Sequence, residues 1–337
     1  MNRKDDHIKN ALKQEVEAND FDKVRFIHNA IPEIAVADIN LETSFCGMKI
    51  KYPIYINAMT GGSDKAFSIN NKLSMLANHF SIPIASGSLS PILRSDEHLD
   101  SFKIIRDNNP NGIVMANLGA DKNYSDATKA ISLLNADVMQ IHLNAVQEIV
   151  MPEGDRDFRD YEKNIKEIVD NLNIPVLVKE VGFGMSSTTL NKLKTLGVRY
   201  VDISGKGGTN FSKIENARRT EELSYFNSYG LSTVESLLEA RDIKDIEIYA
   251  SGGVRNAMDI IKALALGAKA VGMSSYFLRL VTNNPVEDSI KKVDSLIYEL
   301  KSIMTILGKK TTQELRDVEL IYSSELLNFI EQRKKPV

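Results

Sequence analysis

Four polar residues lie close together in the middle of the chain: His142, Asn144, Gln147 and Glu148. Imidazole and amide groups donate hydrogen bonds, and a glutamate oxygen is the hard ligand that Mg²⁺ prefers. Together they predict a site for a polyanionic substrate, with Mg²⁺ bound by Glu148. A transition-metal site is excluded here because no second His or Cys follows at ligand spacing. The alternative is that His142 is a structural residue at the end of a strand.

A second candidate site is a phosphate-binding turn at Gly252 and Gly253. Glycines let the main chain approach an anion closely, and the helix that follows presents free N–H groups and its positive dipole end. Ser274 and Ser275 precede the next predicted helix and supply a second set of donors. The pattern predicts a phosphate cradle, and ordinary turn chemistry is the alternative.

Lys179 lies near the end of an apolar run, IPVLVKE, and is therefore predicted to point toward the mouth of a barrel. One interpretation is a structural ion pair with Glu180 or Asp202. The others are a Schiff base or a cation beside an electron-rich cofactor such as a reduced flavin. Arg3 and Lys4 open the chain, either as a solvated terminus or as a clamp for a phosphate group.

The elements that must position these residues are eight short apolar runs, each ending in small or polar residues. Such unalternating runs are typical of strands buried on both faces of a parallel sheet. The predicted strands are Tyr52–Asn57, Ile82–Ser86, Gly112–Asn117, Val138–Leu143, Ile174–Glu180, Tyr200–Ser204, Glu247–Ser251 and Ala270–Ser274. The predicted helices include Ala66–Phe80, Asp126–Leu134, Tyr161–Asn171, Thr188–Leu196, Thr233–Ala240 and Ala257–Leu266. This alternation predicts a (β/α)₈ TIM barrel, an α/β fold, with an open doubly wound sheet as the rival.

Three regions are predicted along the chain. Residues 1–50 form an N-terminal extension that contributes to the substrate site and begins with an amphipathic stretch, Asp5–Glu17. Residues 51–285 form the barrel, in which residues 205–230 are a long loop after the sixth strand. Residues 286–337 form a C-terminal helical region that packs on the barrel.

Composition narrows the class of protein. A formal net charge of −3, with no sustained Lys/Arg run, argues against nucleic acid and anionic membranes as partners. The N-terminus lacks the apolar core of a signal peptide, and no apolar stretch reaches the roughly 20 residues of a membrane helix. Cys46 is the only cysteine, so we expect a small buried residue and no intrachain disulfide. We therefore expect a cytoplasmic protein.

The motifs taken in order resemble those of the type 2 isopentenyl-diphosphate delta-isomerases over nearly the whole chain. They are RKDDHI, NAMTGG, SGS, ANLG, QIHLNAVQE, VKEVGFG, DISGKGGTNF, ASGGVR and GMSSYFL. QIHLNAVQE is the most specific, whereas ASGGVR is shared with other FMN barrels. The resemblance implies an FMN-binding TIM barrel that interconverts isopentenyl and dimethylallyl diphosphate, with reduced FMN as acid and base. It also implies NADPH as reductant, Mg²⁺ to bind the diphosphate, and a homo-oligomer, either a tetramer or an octamer.

The resemblance also implies residue roles. The substrate diphosphate would meet Arg3, Lys4, His142, Asn144 and Gln147, and Glu148 would hold Mg²⁺. The catalytic residues would be Gln147, His142 and Lys179. FMN would be held by Ala58, Met59, Thr60, Ser88, Asn117, Lys179, Ser204, Thr209, Gly253, Val254, Arg255, Ser274 and Ser275.

Two departures from the family pattern concern the substrate side. GSLSPILR stands where many members read GSQR, which displaces the arginine to Arg94, and Tyr229 stands where many have a tryptophan. Two other functions remain open. An FMN-dependent 2-hydroxy-acid oxidase would share the cradle and Lys179 but needs a histidine base near the sixth and seventh strands. A non-catalytic flavin-binding barrel would leave the His142–Glu148 cluster unexplained.

Overall fold

The computed structural model describes residues 3–15 and 17–334, and the side chains of residues 8–15 and 17–334. Four elements precede the barrel: helix α1 (Arg3–Lys13), strand β1 (Val24–Phe26), and the hairpin of β2 (Thr43–Phe45) and β3 (Met48–Ile50). The predicted amphipathic stretch is therefore helical as far as Lys13. The sequence patterns missed the three short strands, because three residues are too few to show a period.

Eight parallel strands then close into a barrel, in which the last strand pairs with the first through Val271 and Ile54. They are β4 (Ile54–Ile56), β5 (Ile84–Ser88), β6 (Val114–Gly119), β7 (Val138–Leu143), β8 (Val176–Glu180), β9 (Tyr200–Asp202), β10 (Glu247–Ser251) and β11 (Val271–Met273). Each coincides with a predicted strand. The TIM barrel prediction is confirmed, and closure excludes the open doubly wound sheet.

Helices follow the strands and pack around the barrel. They are α2 (Asp64–Phe80), α3 (Asp100–Asn108), α4 (Tyr124–Leu134), α5 (Ala145–Val150), α6 (Tyr161–Asn171), α7 (Ser187–Thr195), α8 (Phe211–Asn216), α9 (Thr233–Ala240), α10 (Ala257–Ala265) and α11 (Ser275–Asn283). Their starts are set locally, because Ser63, Ser186, Ser232 and Asn256 each accept a hydrogen bond from an N–H of the first turn. All six predicted helices are present.

The stretch 205–230 differs from the prediction of a long loop. It contains the short helix α8 and a 3₁₀ turn, Ser224–Asn227. The Asn210 side chain accepts from the N–H of Lys213 and so caps α8. The helix was missed because its charged residues are typical of a solvated loop. In the structure part of this polar face is packed inside the protein, and Glu215 is fully buried.

The chain ends with helix α12 (Val286–Ile306), strand β12 (Leu320–Tyr322) and helix α13 (Ser324–Lys334). Strand β12 pairs antiparallel with β1, so the two ends of the chain meet in a small sheet outside the barrel. Within the described ranges, no helix is both long and apolar enough to cross a membrane.

The barrel interior is layered, and the layers explain where the polar residues lie. The β2–β3 hairpin closes the amino-terminal end, where Phe45 packs against Tyr55 and Tyr249 at ring-centroid distances of 4.9 and 4.8 Å. Cys46 is buried in the same cluster, as predicted, and burial raises the pKa of its thiol.

The side chains inside the barrel change from apolar to polar along the strands. Four inward-facing residues at the same height on their strands belong to the apolar cluster: Tyr55, Met115, Leu177 and Tyr249. The residues two positions further along the same strands share its face and are polar: Asn57, Asn117, Lys179 and Ser251.

Candidate active site

The carboxyl ends of the barrel strands surround a cavity of about 610 Å³. Helix α1 lies along its edge and contributes Ile8 and Ala11 to the lining, and Gln14 follows just after the helix. Eleven of the residues predicted to hold FMN line this cavity: Ala58, Met59, Thr60, Lys179, Ser204, Thr209, Gly253, Val254, Arg255, Ser274 and Ser275. Ser88 and Asn117 do not line it. The structure therefore gathers residues from most of the barrel strands around one space.

The phosphate cradle, defined as Gly252, Gly253, Ser274 and Ser275, is shaped by glycine. Gly252 and Gly253 have φ values of +91° and +74°, in the left-handed region that favours glycine. A Cβ atom on Gly252 would lie 2.0 Å from the carbonyl oxygen of Gly205, and the main chains therefore approach too closely for any side chain. The predicted turn is thus required by both backbone conformation and close packing.

Arg255 was predicted to hold FMN, and in the structure its guanidinium is already bound to two carboxylates. Its guanidinium donates to Asp22 at 2.6 and 2.8 Å and to Asp259 at 2.8 and 3.1 Å. The hydrogen bond from Arg255 lowers the pKa of Asp22 to about 2, and both carboxylates raise the pKa of Arg255. Asn19 also donates to the carbonyl of Gly253 at 2.8 Å. Residues 19–22 are therefore fastened to the cradle, a contact that no local pattern indicated.

Lys179 is buried beside the cavity, and its ammonium donates to the main-chain carbonyl of Glu180 at 2.7 Å. Among the described residues it forms no ion pair, although Asp202 lies opposite it on strand β9. Burial lowers the pKa of Lys179, and the charges of Asp202 and Glu180 oppose that shift. Lys179 therefore lies at the cavity, where a cation could act on a bound cofactor.

The donor cluster, defined as His142, Asn144, Gln147 and Glu148, lies at the end of β7 and the start of α5, outside the cavity lining. His142 Nδ1 is 2.9 Å from Asn117 Oδ1. Asn144 donates to Glu148 at 2.6 Å. Asn144 and Glu148 are therefore held together by a hydrogen bond, whereas His142 is bonded to a residue outside the cluster.

Glu148 is the predicted Mg²⁺ ligand, and both of its oxygens already accept hydrogen bonds. Asn144 donates to one oxygen, and the main-chain N–H of Asp155 donates to the other at 2.9 Å. Burial raises the pKa of Glu148 above its ordinary value. Over the stretches of chain with defined side chains, no three His, Cys, Asp or Glu residues are grouped to hold a metal ion. A Mg²⁺ ion here would take its remaining ligands from substrate and water.

Gln147 reaches a residue that the sequence analysis missed. Its amide donates to Glu215 at 3.3 Å, and Arg218 donates to the same carboxylate at 2.6 Å. Glu215 is fully buried on α8. Helix α8 therefore supplies a hydrogen-bond partner for Gln147 of the donor cluster. Arg3 and Lys4 begin α1, but their side chains lie outside the described residues.

FMN fits the cavity on two observations of this chain. The hydroxyl of Thr60 is buried in the lining and has no hydrogen-bond partner within the described structure, so it can serve a ligand. The glycine-walled cradle and a buried lysine lie at the same cavity, which matches a cofactor with a phosphate at one end and an electron-rich ring.

Residues 108–321 match the FMN-dependent dehydrogenase family. A relative from Staphylococcus epidermidis (strain ATCC 35984) is 45% identical over 98% of this chain and 96% of its own length. Another from Staphylococcus aureus (strain Newman) is 46% identical over 98% of this chain and 96% of its own. Both are named isopentenyl-diphosphate delta-isomerase. The chain belongs to the isopentenyl-diphosphate delta-isomerase family.

Solved structures of more distant proteins show the same fold. The flavin-binding domain of baker's yeast flavocytochrome b2 has a TM-score of 0.67 at 19% identity, covering 99% of this chain and 82% of that one. A mutant of an active chimera of (S)-mandelate dehydrogenase has a TM-score of 0.66 at 14% identity, covering 94% and 91%. At such identities only the fold is shared.

The two residues that mark the departures from the isomerase family pattern, Arg94 and Tyr229, are exposed. Arg94 is exposed and does not line the cavity. Tyr229 is 57% exposed and packs edge-on against Phe226, with ring centroids 5.7 Å apart. Neither residue takes the place of a cavity-lining side chain.

Proposed function

We propose that this isomerase-family protein interconverts isopentenyl and dimethylallyl diphosphate, as a type 2, FMN-dependent enzyme. The observation that carries the proposal is the cavity, because it combines a glycine-walled phosphate cradle, buried Lys179 and a Thr60 hydroxyl that has no partner among the described residues. The 45% identity to relatives named for this reaction supports the same substrate.

The reaction moves a double bond by adding a proton at C4 of isopentenyl diphosphate and removing one from C2. Reduced FMN, when bound, would supply the acid and base for both transfers. Lys179 would stabilise negative charge on the bound ring, because its ammonium is buried and no carboxylate of the described residues lies within hydrogen-bonding distance. Gln147 would orient the substrate, since an amide does not titrate near neutral pH.

The donor cluster would bind the diphosphate. His142 and Asn144 are donors at the end of β7, and Arg3 and Lys4 would add positive charge from α1. Glu148 would bind Mg²⁺, and the diphosphate oxygens would complete its coordination. Since the isomerisation involves no net redox change, NADPH would act only to reduce the flavin. We further propose a cytoplasmic homo-oligomer with the extension, barrel and C-terminal region divided at residues 50 and 285.

A 2-hydroxy-acid oxidase is the alternative, because the fold relatives include flavocytochrome b2 and mandelate dehydrogenase. Such an oxidase would need a histidine base beside the flavin. The described part of the cavity lining includes no histidine, and His142 lies outside that lining, hydrogen-bonded to Asn117. This observation favours the isomerase.

The deciding experiment uses the purified protein loaded with FMN. With isopentenyl diphosphate, Mg²⁺ and NADPH under anaerobic conditions, proton NMR should show dimethylallyl diphosphate forming. Activity should be absent with oxidised FMN and fall sharply with 5-deaza-FMN, in which carbon replaces the N5 proton site. Oxidation of lactate or mandelate by oxygen, without isomerisation, would establish the alternative.

A further inference from the structure

A chain of buried hydrogen bonds crosses the upper layer of the barrel from Asp202 to His142. Asn57 Nδ2 donates to Asp202 at 2.7 Å, and Gln140 Nε2 donates to Asn57 Oδ1 at 3.2 Å. Asn117 Nδ2 donates to Gln140 Oε1 at 2.6 Å, and Asn117 Oδ1 lies 2.9 Å from His142 Nδ1. Three side-chain amides therefore join a carboxylate to the donor cluster.

The direction of the chain is fixed at its Asp202 end. The Tyr55 hydroxyl donates to this carboxylate at 2.8 Å, Ser251 at 2.8 and 2.9 Å, and the N–H of Ser204 at 3.1 Å. Because every partner is a donor, the carboxylate acts as an acceptor and requires the NH₂ of Asn57. The N–H of Ala58 donates to Asn57 Oδ1 at 2.9 Å, and a main-chain N–H cannot accept. Both contacts give Asn57 the same orientation.

This orientation propagates because each amide has one donor end and one acceptor end. Gln140 must donate to the oxygen of Asn57, so its own oxygen receives the NH₂ of Asn117. Asn117 then presents its oxygen to His142, and the ring nitrogen Nδ1 must carry the proton. Rotating one amide would oppose two oxygens and two NH₂ groups in a buried region, where unpaired polar groups are costly.

We propose that Asn57 and Gln140 are positioning residues that, through Asn117, hold the proton of a neutral His142 on Nδ1. The Nε2 atom of that ring is then the nitrogen that can accept a hydrogen bond or a proton. The tautomer is a property of this chain alone. Only its consequence for diphosphate binding rests on the proposed function.

The first test measures the tautomer directly. The FMN-loaded protein, selectively labelled with ¹⁵N-histidine, is studied by solid-state NMR about two pH units above the ordinary histidine pKa of ~6.5. The His142 signals are assigned by their loss in His142→Asn. We expect a protonated Nδ1 and an unprotonated Nε2. A neutral ring protonated on Nε2 would overturn the proposal without the need for any further variant.

The second test breaks the chain at Gln140. Gln140→Met removes the acceptor for Asn117 and should give a mixture of the two neutral tautomers. Gln140→Glu keeps an oxygen for Asn117 and should retain the Nδ1 proton. Asn108→Leu is the matched control, because the Asn108 amide bridges α2 and α3 away from the barrel mouth. A pure Nδ1 tautomer in Gln140→Met would show that Gln140 does not position His142.

A kinetic measurement separates this proposal from the proposed function. His142 can donate to the diphosphate from Nε2 only when both ring nitrogens are protonated, because Nδ1–H is bonded to Asn117. Gln140→Met frees Asn117 to turn and so weakens the acceptor that this doubly protonated form needs. The KM for isopentenyl diphosphate should therefore rise about threefold to tenfold, the scale of one hydrogen bond, with flavin content unchanged. If the tautomer shifts but the protein shows no isomerase activity, the positioning role stands and the proposed function fails. If the Gln140→Met enzyme is active but its His142 tautomer is unchanged, the proposed function stands and the positioning role fails.

Discussion

The phosphate cradle and the donor cluster lie on opposite sides of the barrel mouth, because β11 and β7 are four strands apart in a ring of eight. The cradle is built from main chain, and its shape depends on glycines that no other residue can replace. The donor cluster is built from side chains that bond to other side chains, as Asn144 does to Glu148 and Gln147 does to Glu215. One site is shaped by steric exclusion and the other by exchangeable hydrogen bonds.

This difference matches what each site is proposed to bind. A cofactor that stays bound benefits from a rigid site, because little conformational entropy is lost when it binds. A substrate that must leave as product is suited to side chains that have alternative partners. Asn144 can return to Glu148, and Gln147 can return to Glu215, when the ligand leaves. Substitutions at the two sites should therefore separate cofactor affinity from substrate affinity.

The largest effect is expected from Gly252→Ala. The added Cβ would lie 2.0 Å from the Gly205 carbonyl oxygen, so the cradle must open and lose N–H contacts to the phosphate. Because more than two charge-assisted N–H contacts to the phosphate would be weakened together, we expect FMN affinity to fall on the order of 1,000-fold or more, measured by flavin fluorescence titration. Gly267→Ala is the control, because Gly267 also has a positive φ but no atom lies within 4 Å of its added Cβ. Equal FMN affinities in the two variants would contradict a sterically defined cradle.

The next effect is expected from the double change Arg3→Ala and Lys4→Ala. Each cation is proposed to contact the diphosphate, and such charge-assisted contacts contribute roughly 1.5–3 kcal/mol each. The KM for isopentenyl diphosphate should rise at least about 100-fold, while FMN content is unchanged. The control changes two exposed cations of the same helix, Lys9→Ala and Lys13→Ala. An unaltered KM in the first variant would identify a solvated terminus.

Glu148→Gln should have an intermediate effect at the donor cluster. A neutral amide is a poor ligand for a hard cation, so Mg²⁺ affinity should fall roughly 10- to 100-fold. Activity would then require more Mg²⁺, whereas FMN binding would be retained. Glu162→Gln, which removes a surface partner of Lys192, provides the control. If the Mg²⁺ titration is the same for both variants, Glu148 is not the ligand.

The smallest effect is expected for Asp22, whose carboxylate binds Arg255 beside the cradle and contributes to the stability of the fold. The pKa of Asp22 is lowered to about 2 in the folded protein, from an ordinary 3.8, chiefly by Arg255. Its contribution to stability is therefore present above about pH 4 and is lost as the pH falls toward 2. Because the Asp22 side chain is 49% exposed, solvent reduces that contribution to about 0.5–1 kcal/mol.

Asp22→Asn tests this contribution by urea unfolding at several pH values. The free-energy difference from the unchanged protein should be present near neutral pH and shrink on acidification, and FMN affinity should fall less than tenfold. Asp157→Asn removes a carboxylate with a similarly lowered pKa, whose partner Arg159 is two residues away, and should leave FMN affinity unchanged. A difference in stability that grows with acidification would refute the role of Asp22.

The sequence alone determined the parts of the molecule that local chemistry encodes. The eight barrel strands and six of the helices after them were visible, because burial and helix caps act over a few residues. The cradle was visible for the same reason, since a positive φ at Gly252 and Gly253 is a local requirement. The resemblance to the family predicted further FMN-binding residues, and eleven of the predicted residues line the cavity.

Only the tertiary structure decided which distant residues meet. Asn57 and Asp202 are 145 positions apart, and Arg255 and Asp22 are 233 apart. Gln140 gave one local signal, a polar residue inside an apolar strand, but nothing that identified its partners. Glu215 lies in a charged stretch that is typical of a solvated surface, and only the packing of α8 buries it against Gln147. Residue spacing encodes periodicity along an element, whereas barrel closure determines which side chains share its interior.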